Sequence, residues 1–310
     1  MITIKEIEAY KNYGRCVSIS NGKIEALVTI DLGPRIIFFG FLHGQNFMCT
    51  DREDLGFENK GNYEEFFGKG RKWENLGGHR IWVSPESYPE TYTPDDKPVK
   101  YEITKNGAVF TPEADVEVGT AKTLEIKMSD DSNTMQVDIA VKNITLAPKD
   151  FAVWSLSVCS AGGSMIIPMN TNDTGLLPNR IVSVWPYTDM SDNRIYWGKK
   201  YVTVKQDVDA KEPIKLGFDL NCGTAYYLLG NEIFKKNYKT NHPDGCYPDG
   251  GCSFETYTNN VMLEFETLSE LKTVNAGKFN TLSETWSVSE LPCEVDTRDD
   301  NSIDNLIKNL

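Results

Sequence analysis

Histidine is scarce in this sequence, with only His43, His79 and His242 among 310 residues. So few imidazoles nearly exclude a multi-histidine metal centre, and the zinc pattern His-Glu-x-x-His does not occur. Also missing are Gly-x-x-x-x-Gly-Lys-Ser/Thr, Gly-x-Gly-x-x-Gly between a strand and a helix, and Gly-x-Ser-x-Gly. Their absence removes kinases, common dehydrogenases and lipases, because each motif supplies a phosphate cradle or a nucleophile elbow that the chemistry needs. No run of about 18 apolar residues is present, so no spanning helix is expected. The opening residues have neither a basic start nor an apolar stretch, and no secretory signal is read there.

Positive charge is the minority sign. Lys plus Arg number 32 against 45 Asp plus Glu, a formal net charge of −13. Duplex nucleic acid and anionic membrane are poor partners for such a surface, since both need phosphates neutralised. The seven cysteines are odd in number and scattered, which fits free thiols in a reducing compartment; a cytoplasmic protein is expected.

What is abundant is the alternation of strands. Residues 16–20 and 23–30 alternate around Asn21-Gly22, and Asn-Gly supplies the positive φ values of a two-residue hairpin. Asn106-Gly107 repeats the device, and residues 123–128 and 135–141 flank another polar turn. Further strands are predicted at 151–158, 201–205, 223–229, 262–267 and 284–288. Many strands with turn-rich links and few 3.6-residue periods imply an all-β fold of stacked antiparallel sheets. One helix is predicted at the C-terminus, capped by Ser302, with Ile303, Leu306, Ile307 and Leu310 on one face. No linker or repeat divides residues 1–310, so one domain is expected, with a long functional loop region from Asp51 to Asp96.

Three segments could carry chemistry. The first, Trp73 to Glu86, contains Asn75, the pair Gly77-Gly78, His79, Arg80 and Trp82. Its glycines would let backbone approach a ligand, its tryptophans could cover a sugar's apolar face, and Asn75, Arg80 and Glu86 could take hydroxyls. A tight turn entering a core strand is the plainer alternative, and His79 is a possible acid because imidazole switches charge near neutrality. The second segment runs from Ala225 to Glu255, where Lys236, Tyr247, Asp249 and Glu255 could surround a polar ligand. A metal held by His242, Cys246, Asp249 and Cys252 is less favoured, since five residues separate the cysteines, and no metal is expected. The third is Asn260 to Thr267, where Glu264 and Glu266 alternate with Leu263 and Phe265 and so share a face. Were that face a pocket wall, burial and mutual repulsion would raise one carboxyl pKa and produce a base for neutral pH.

At these segments the sequence resembles the galactose-mutarotase-like (aldose 1-epimerase-like) superfamily. The resemblance is carried by Asp31-Leu-Gly-Pro-Arg-Ile-Ile, Asn75-Leu-Gly-Gly-His-Arg-Ile-Trp, Leu177-Pro-Asn-Arg and Trp185-Pro-Tyr-Thr-Asp, and then by Tyr247-Pro-Asp-Gly-Gly-Cys, Leu263-Glu-Phe-Glu-Thr and Glu284-Thr-Trp-Ser-Val. It implies a β-supersandwich, two large antiparallel sheets with a sugar site on one of them. It further implies Glu264 as the base that takes the anomeric proton and His79 as the acid at the ring oxygen. Epimerases carry a second histidine near mid-chain, where this chain has Phe151-Ala-Val-Trp-Ser-Leu-Ser. Arg35, Lys236 and Glu255 are additional charges that would suit an acidic or phosphorylated sugar. The expectation is a carbohydrate-binding protein without cofactor, monomeric or homodimeric, taking a small sugar or sugar acid. It is an anomer-exchanging isomerase, a non-catalytic sugar-binding module, or a polysaccharide lyase- or hydrolase-like enzyme of the same fold.

Overall fold

The computed structural model describes residues 1–50 and 61–310. Its strands form two antiparallel sheets that pack face to face. The larger runs, in spatial order, Thr3–Ile7, Cys16–Ser20, Ile24–Thr29, Ile36–Phe41, Gly78–Ser84, Lys149–Cys159, Leu263–Leu268, Phe254–Thr258, Ile214–Phe218 and Val182–Val184. The smaller contains Ser164–Pro168, Thr224–Leu229, Glu232–Tyr238, Phe279–Glu290, Thr134–Asn143 and Thr120–Met128 among its central strands. Asn21-Gly22 lies between two paired strands as expected, but only Gly22 has a positive φ, 87°. At Asn106-Gly107 neither residue does, and Gly107 already belongs to the strand Gly107–Thr111.

Period-two alternation decides which side chains meet between the sheets. From the larger sheet Ile81, Val153, Phe254, Phe265 and Phe218 point inward; from the smaller come Leu124, Val137, Phe234, Leu282 and Trp286. Each such side chain contributes on the order of 1.5–3 kcal/mol when taken out of water. The aromatic centre is tight: Phe234 lies 5.0 Å from Trp286 and 5.3 Å from Phe265, centroid to centroid.

The C-terminal helix spans Asp300–Lys308. It lays Ile303 and Leu306 on Ile166, Tyr201, Tyr226, Leu228 and Ile233, the outer face of the smaller sheet. Its cap differs from the expectation. Asp299, with extended backbone, accepts from Asn301 N, whereas Ser302 sits inside the helix and accepts from Asp296 N. Asp299 wins because a carboxylate one step before the first turn reaches its free N–H groups and meets the positive end of the helix. Leu310 lies past the helix end and is 42% exposed.

Candidate functional site

The outer face of the larger sheet carries what the inner face does not. Across neighbouring strands the registers bring Gly78 beside Val158, Val158 beside Glu264, Glu264 beside Tyr257 and Tyr257 beside Lys215. The next row brings together Arg80, Leu156, Glu266 and Glu255. Over these rows folds the segment after residue 60, whose Tyr63, Phe67 and Trp73 pack with Trp82, Trp154 and Leu156. Residues 51–60 of the predicted loop region lie outside the described residues. A five-residue helix, Tyr63–Phe67, was not foreseen.

The result is a cavity of about 300 Å³. Trp73, Trp82, Trp154, Tyr92, Tyr187 and Tyr257 supply aromatic walls, with Asn75, Arg80, Glu86, Lys215, Asn259 and Glu264 as polar groups. The indoles of Trp82 and Trp154 meet edge to face at 5.4 Å, and Trp73 lies 5.6 Å from Trp82.

Two charge groups sit in or under this cavity. Arg80 Nη2 donates to Glu264 Oε1 at 3.0 Å, and its guanidinium lies 4.2 Å above the Trp82 ring. Arg80 Nε and Nη1 have no hydrogen-bond partner among the described residues, so the ion pair and the ring stack are what hold this side chain. Lys215 lies between the rings of Trp154 and Trp185, at 4.6 and 4.8 Å. Its ammonium reaches Glu255 at 2.9 Å and Glu266 at 3.2 Å, while Trp154 Nε1 donates to Glu266 at 2.8 Å. Burial raises the Glu266 carboxyl to about 7, Lys215 opposing and Glu264 reinforcing the rise. Glu255 is raised well above the usual carboxylate range by burial, with Glu266 and Asp249 adding repulsion. For Lys215 burial acts downward, but the Glu266 and Glu255 carboxylates outweigh it and raise the ammonium well above its ordinary value. Two carboxylates crowding one cation cannot both ionise freely, so this group holds a proton near neutral pH.

Of the residues singled out from sequence, Asn75, Arg80, Trp82, Glu86 and Glu264 line the cavity. Asn75 also holds the turn, its Oδ1 accepting from Gly77 N at 3.2 Å. Exposed Glu86 stands at the rim and accepts from the Tyr92 hydroxyl. Glu255 lies beneath, reached through Lys215.

His79 is a correction. It neighbours Arg80 on the same strand, so alternation turns it to the opposite face. There it is wholly buried, with Nδ1 3.0 Å from Ser157 Oγ and its ring 4.9 Å from Trp286. Burial, then the nearby charges of Lys236, Arg35 and Arg80, push its pKa well below the ordinary value. It is a neutral core histidine and cannot serve the cavity as an acid.

Arg35 and Lys236 are likewise internal. Arg35 donates to the Gly77 carbonyl at 3.1 Å and pairs with Asp95 at 2.9 Å, and burial lowers its pKa to about 10. The double glycine serves this packing: Gly77 and Gly78 both have positive φ, and a Cβ at Gly78 would lie 2.6 Å from the Ile36 carbonyl oxygen. The close approach is therefore to a neighbouring strand, not to a ligand. Lys236 shares a strand face with Phe234 and Tyr238 as expected, but that face is the inner one. Tyr247 stacks on His242 at 4.3 Å and lines a separate surface cleft with Asn241 and Glu270; Asp249 accepts from Ser84 Oγ at 3.3 Å. Neither lines the aromatic cavity. No group of three or more His, Cys, Asp or Glu among the described residues is placed to hold a metal ion.

Sequence reasoning missed Tyr92, Lys215, Tyr257 and Asn259 as site residues, met Tyr187 only within the family motif Trp185-Pro-Tyr-Thr-Asp, and met Trp154 only in the segment that lacks the second histidine. Lys215 had a signal: a lone cation between Ile214 and Leu216 in an otherwise apolar strand, hence on the face away from the core.

No family model matches the chain, and no curated protein matches it. Solved structures do. A candidate aldose 1-epimerase from Klebsiella pneumoniae is 9% identical at TM-score 0.60, over 99% of this chain and 86% of that one. A galactose mutarotase-like protein from Clostridium acetobutylicum is 12% identical at TM-score 0.55, over 94% and 99%. A TPR-domain containing protein from Parabacteroides distasonis is 13% identical at TM-score 0.59, over 90% of this chain; the match spans 48% of that longer protein. Identities this low speak to architecture alone. The chain has the galactose-mutarotase-like fold. Among the described residues no helix is long and apolar enough to cross a membrane.

Proposed function

We propose that this protein binds a small saccharide in the aromatic cavity on the outer face of its larger sheet. The observation that carries the reading is the arrangement of Trp73, Trp82 and Trp154 around the Arg80–Glu264 pair. A pyranose offers an apolar face for an indole and equatorial hydroxyls for directional partners, and this wall provides both. A volume of about 300 Å³ is at the lower end for small-molecule sites and suits one ring better than a polysaccharide groove. Each cation at the cavity already has a carboxylate, Arg80 with Glu264 and Lys215 with Glu255 and Glu266. An acidic or phosphorylated sugar would find no uncompensated positive charge, so a neutral sugar is favoured.

Anomer exchange is the second reading. It rests on Glu264, a carboxylate at the cavity wall positioned to take a hydroxyl proton. Its difficulty is the acid. With His79 turned inward, the lysine and tyrosine proton donors lining the cavity are Lys215, Tyr92, Tyr187 and Tyr257, and all four pKa values are raised. Groups that hold their protons so firmly are weak general acids at neutral pH. Binding without turnover is therefore placed first. Thermal-shift screening over neutral and acidic sugars, with magnetisation-transfer NMR on α/β pairs, tests both. Stabilisation by a neutral sugar without accelerated exchange is the expected result; no stabilisation by any sugar would overturn the binding reading.

A further inference from the structure

A polar cluster is enclosed between the sheets, directly behind the cavity. Lys236 and Glu284 are both fully buried, 3.6 Å apart, among Phe39, Phe234, Phe265 and Trp286. Burial lowers the Lys236 pKa, with Glu284 acting against that shift. Taking an ammonium and a carboxylate out of water costs several kcal/mol each, and apolar replacements of a buried pair are often equally stable or better. Stability alone does not account for the pair.

Its hydrogen bonds point to another role. Lys236 Nζ donates at 3.1 Å to the carbonyl of Phe265, the residue between Glu264 and Glu266. Glu284 accepts from Thr267 Oγ1, from Ser155 Oγ at 2.8 Å and from Trp286 Nε1 at 2.7 Å. Beside them Ser157 meets His79 at 3.0 Å. Every strand gripped from inside presents its alternate residues outside: Thr267 is flanked by Glu266, Ser155 by Trp154 and Leu156, and His79 by Arg80. Directional bonds from the smaller sheet thus hold the backs of two strands, Lys149–Cys159 and Leu263–Leu268. The third, Gly78–Ser84, is tied to Lys149–Cys159 by His79–Ser157 and rests its His79 ring on Trp286.

We propose that Lys236 and Glu284 are positioning residues for the outer-face site, fixing the strand Leu263–Leu268 so that Glu264 and Glu266 stand in register with Arg80, Trp154 and Lys215. Neither residue touches the cavity. A site held from behind by directional bonds keeps its geometry where apolar packing alone would allow small slides. The proposal rests on the reading of the cavity as a binding site, but its test does not need a sugar. The Trp154 indole N–H donates to Glu266, so its NMR resonance reports the wall's geometry directly.

The experiment compares wild type with the apolar double variant Lys236→Met/Glu284→Leu, recording the thermal midpoint, the Trp154 indole resonance and the affinity for any sugar that binds wild type. The expected result is a folded protein with a lowered midpoint, since Ser155, Thr267 and Trp286 lose their acceptor, together with a shifted or broadened indole resonance and affinity about tenfold weaker. An indole resonance unchanged in the folded double variant overturns the proposal, whatever sugars do. Should the double variant fail to fold, Thr267→Val removes one grip from the same strand and is read identically. Should no sugar bind wild type, the sugar reading fails while the indole signal still decides this one.

Discussion

The two faces of three adjacent strands, Gly78–Ser84, Lys149–Cys159 and Leu263–Leu268, differ in what their charges do. Outside, Arg80, Glu264 and Glu266 stand among indoles beside an open cavity. Inside, His79, Ser155, Ser157 and Thr267 are fully buried beside Lys236, Glu284 and Trp286. Neighbouring residues in sequence thereby have opposite fates. A charged group's place in a fold of this kind is decided by parity along the strand before its chemistry counts.

The strongest break in the comparison comes from inside. Lys236→Met alone strands the Glu284 carboxylate in the core, and unfolding free energy should fall by about 3–5 kcal/mol in urea titration. A loss under about 1 kcal/mol would mean the pair is not buried in solution as it is here. Outside, Glu264→Gln keeps an acceptor for Arg80 but removes the charge. Stability should drop by only about 1–2 kcal/mol while sugar affinity drops at least about tenfold. Unaltered affinity would separate Glu264 from the site.

Titration sharpens the contrast, because the faces respond to pH in opposite directions. Glu266 is raised from 4.5 to about 7 in the folded state, so its contribution is fully present below 4.5 and lost as pH rises towards 7. His79 is shifted well below 6.5, so its contribution is present above 6.5 and lost as pH falls below that value. Glu266→Gln should therefore flatten the loss on the neutral side, and His79→Gln the loss on the acid side. Melting curves across this range check both; a single substitution that flattened both limbs would contradict the assignment. The smallest effect is expected away from either face. Asp299→Ala removes the helix cap at a cost of about 1 kcal/mol, with the Trp154 indole resonance and sugar affinity unchanged.

Much of the architecture was legible because it depends on local rules. Alternation in 123–128 and 135–141 and the Asn-Gly turns specify paired strands directly, and the observed strands Thr120–Met128 and Thr134–Asn143 enclose both segments. Alternation also placed Glu264 and Glu266 on one face, opposite Leu263 and Phe265. It could not say which sheet face was open, since both faces of these strands are covered. That ambiguity is why His79 and Lys236 read as site residues while Lys215 and Tyr257 did not. Applied to Gly78–Ser84, the same parity would have separated His79 from Arg80 and Trp82, had the tryptophans been taken as marking the ligand side. Arg35 was misread for a different reason: its partner Asp95 lies 60 positions away and only the folded chain joins them.

Titration of intrinsic tryptophan fluorescence with a series of neutral monosaccharides addresses the central claim most directly, since three indoles form the cavity wall. A saturable change with at least one sugar, abolished in Glu264→Gln and retained in Asp299→Ala, is the predicted outcome. A signal indifferent to every sugar, or one that persists unchanged in Glu264→Gln, would contradict it.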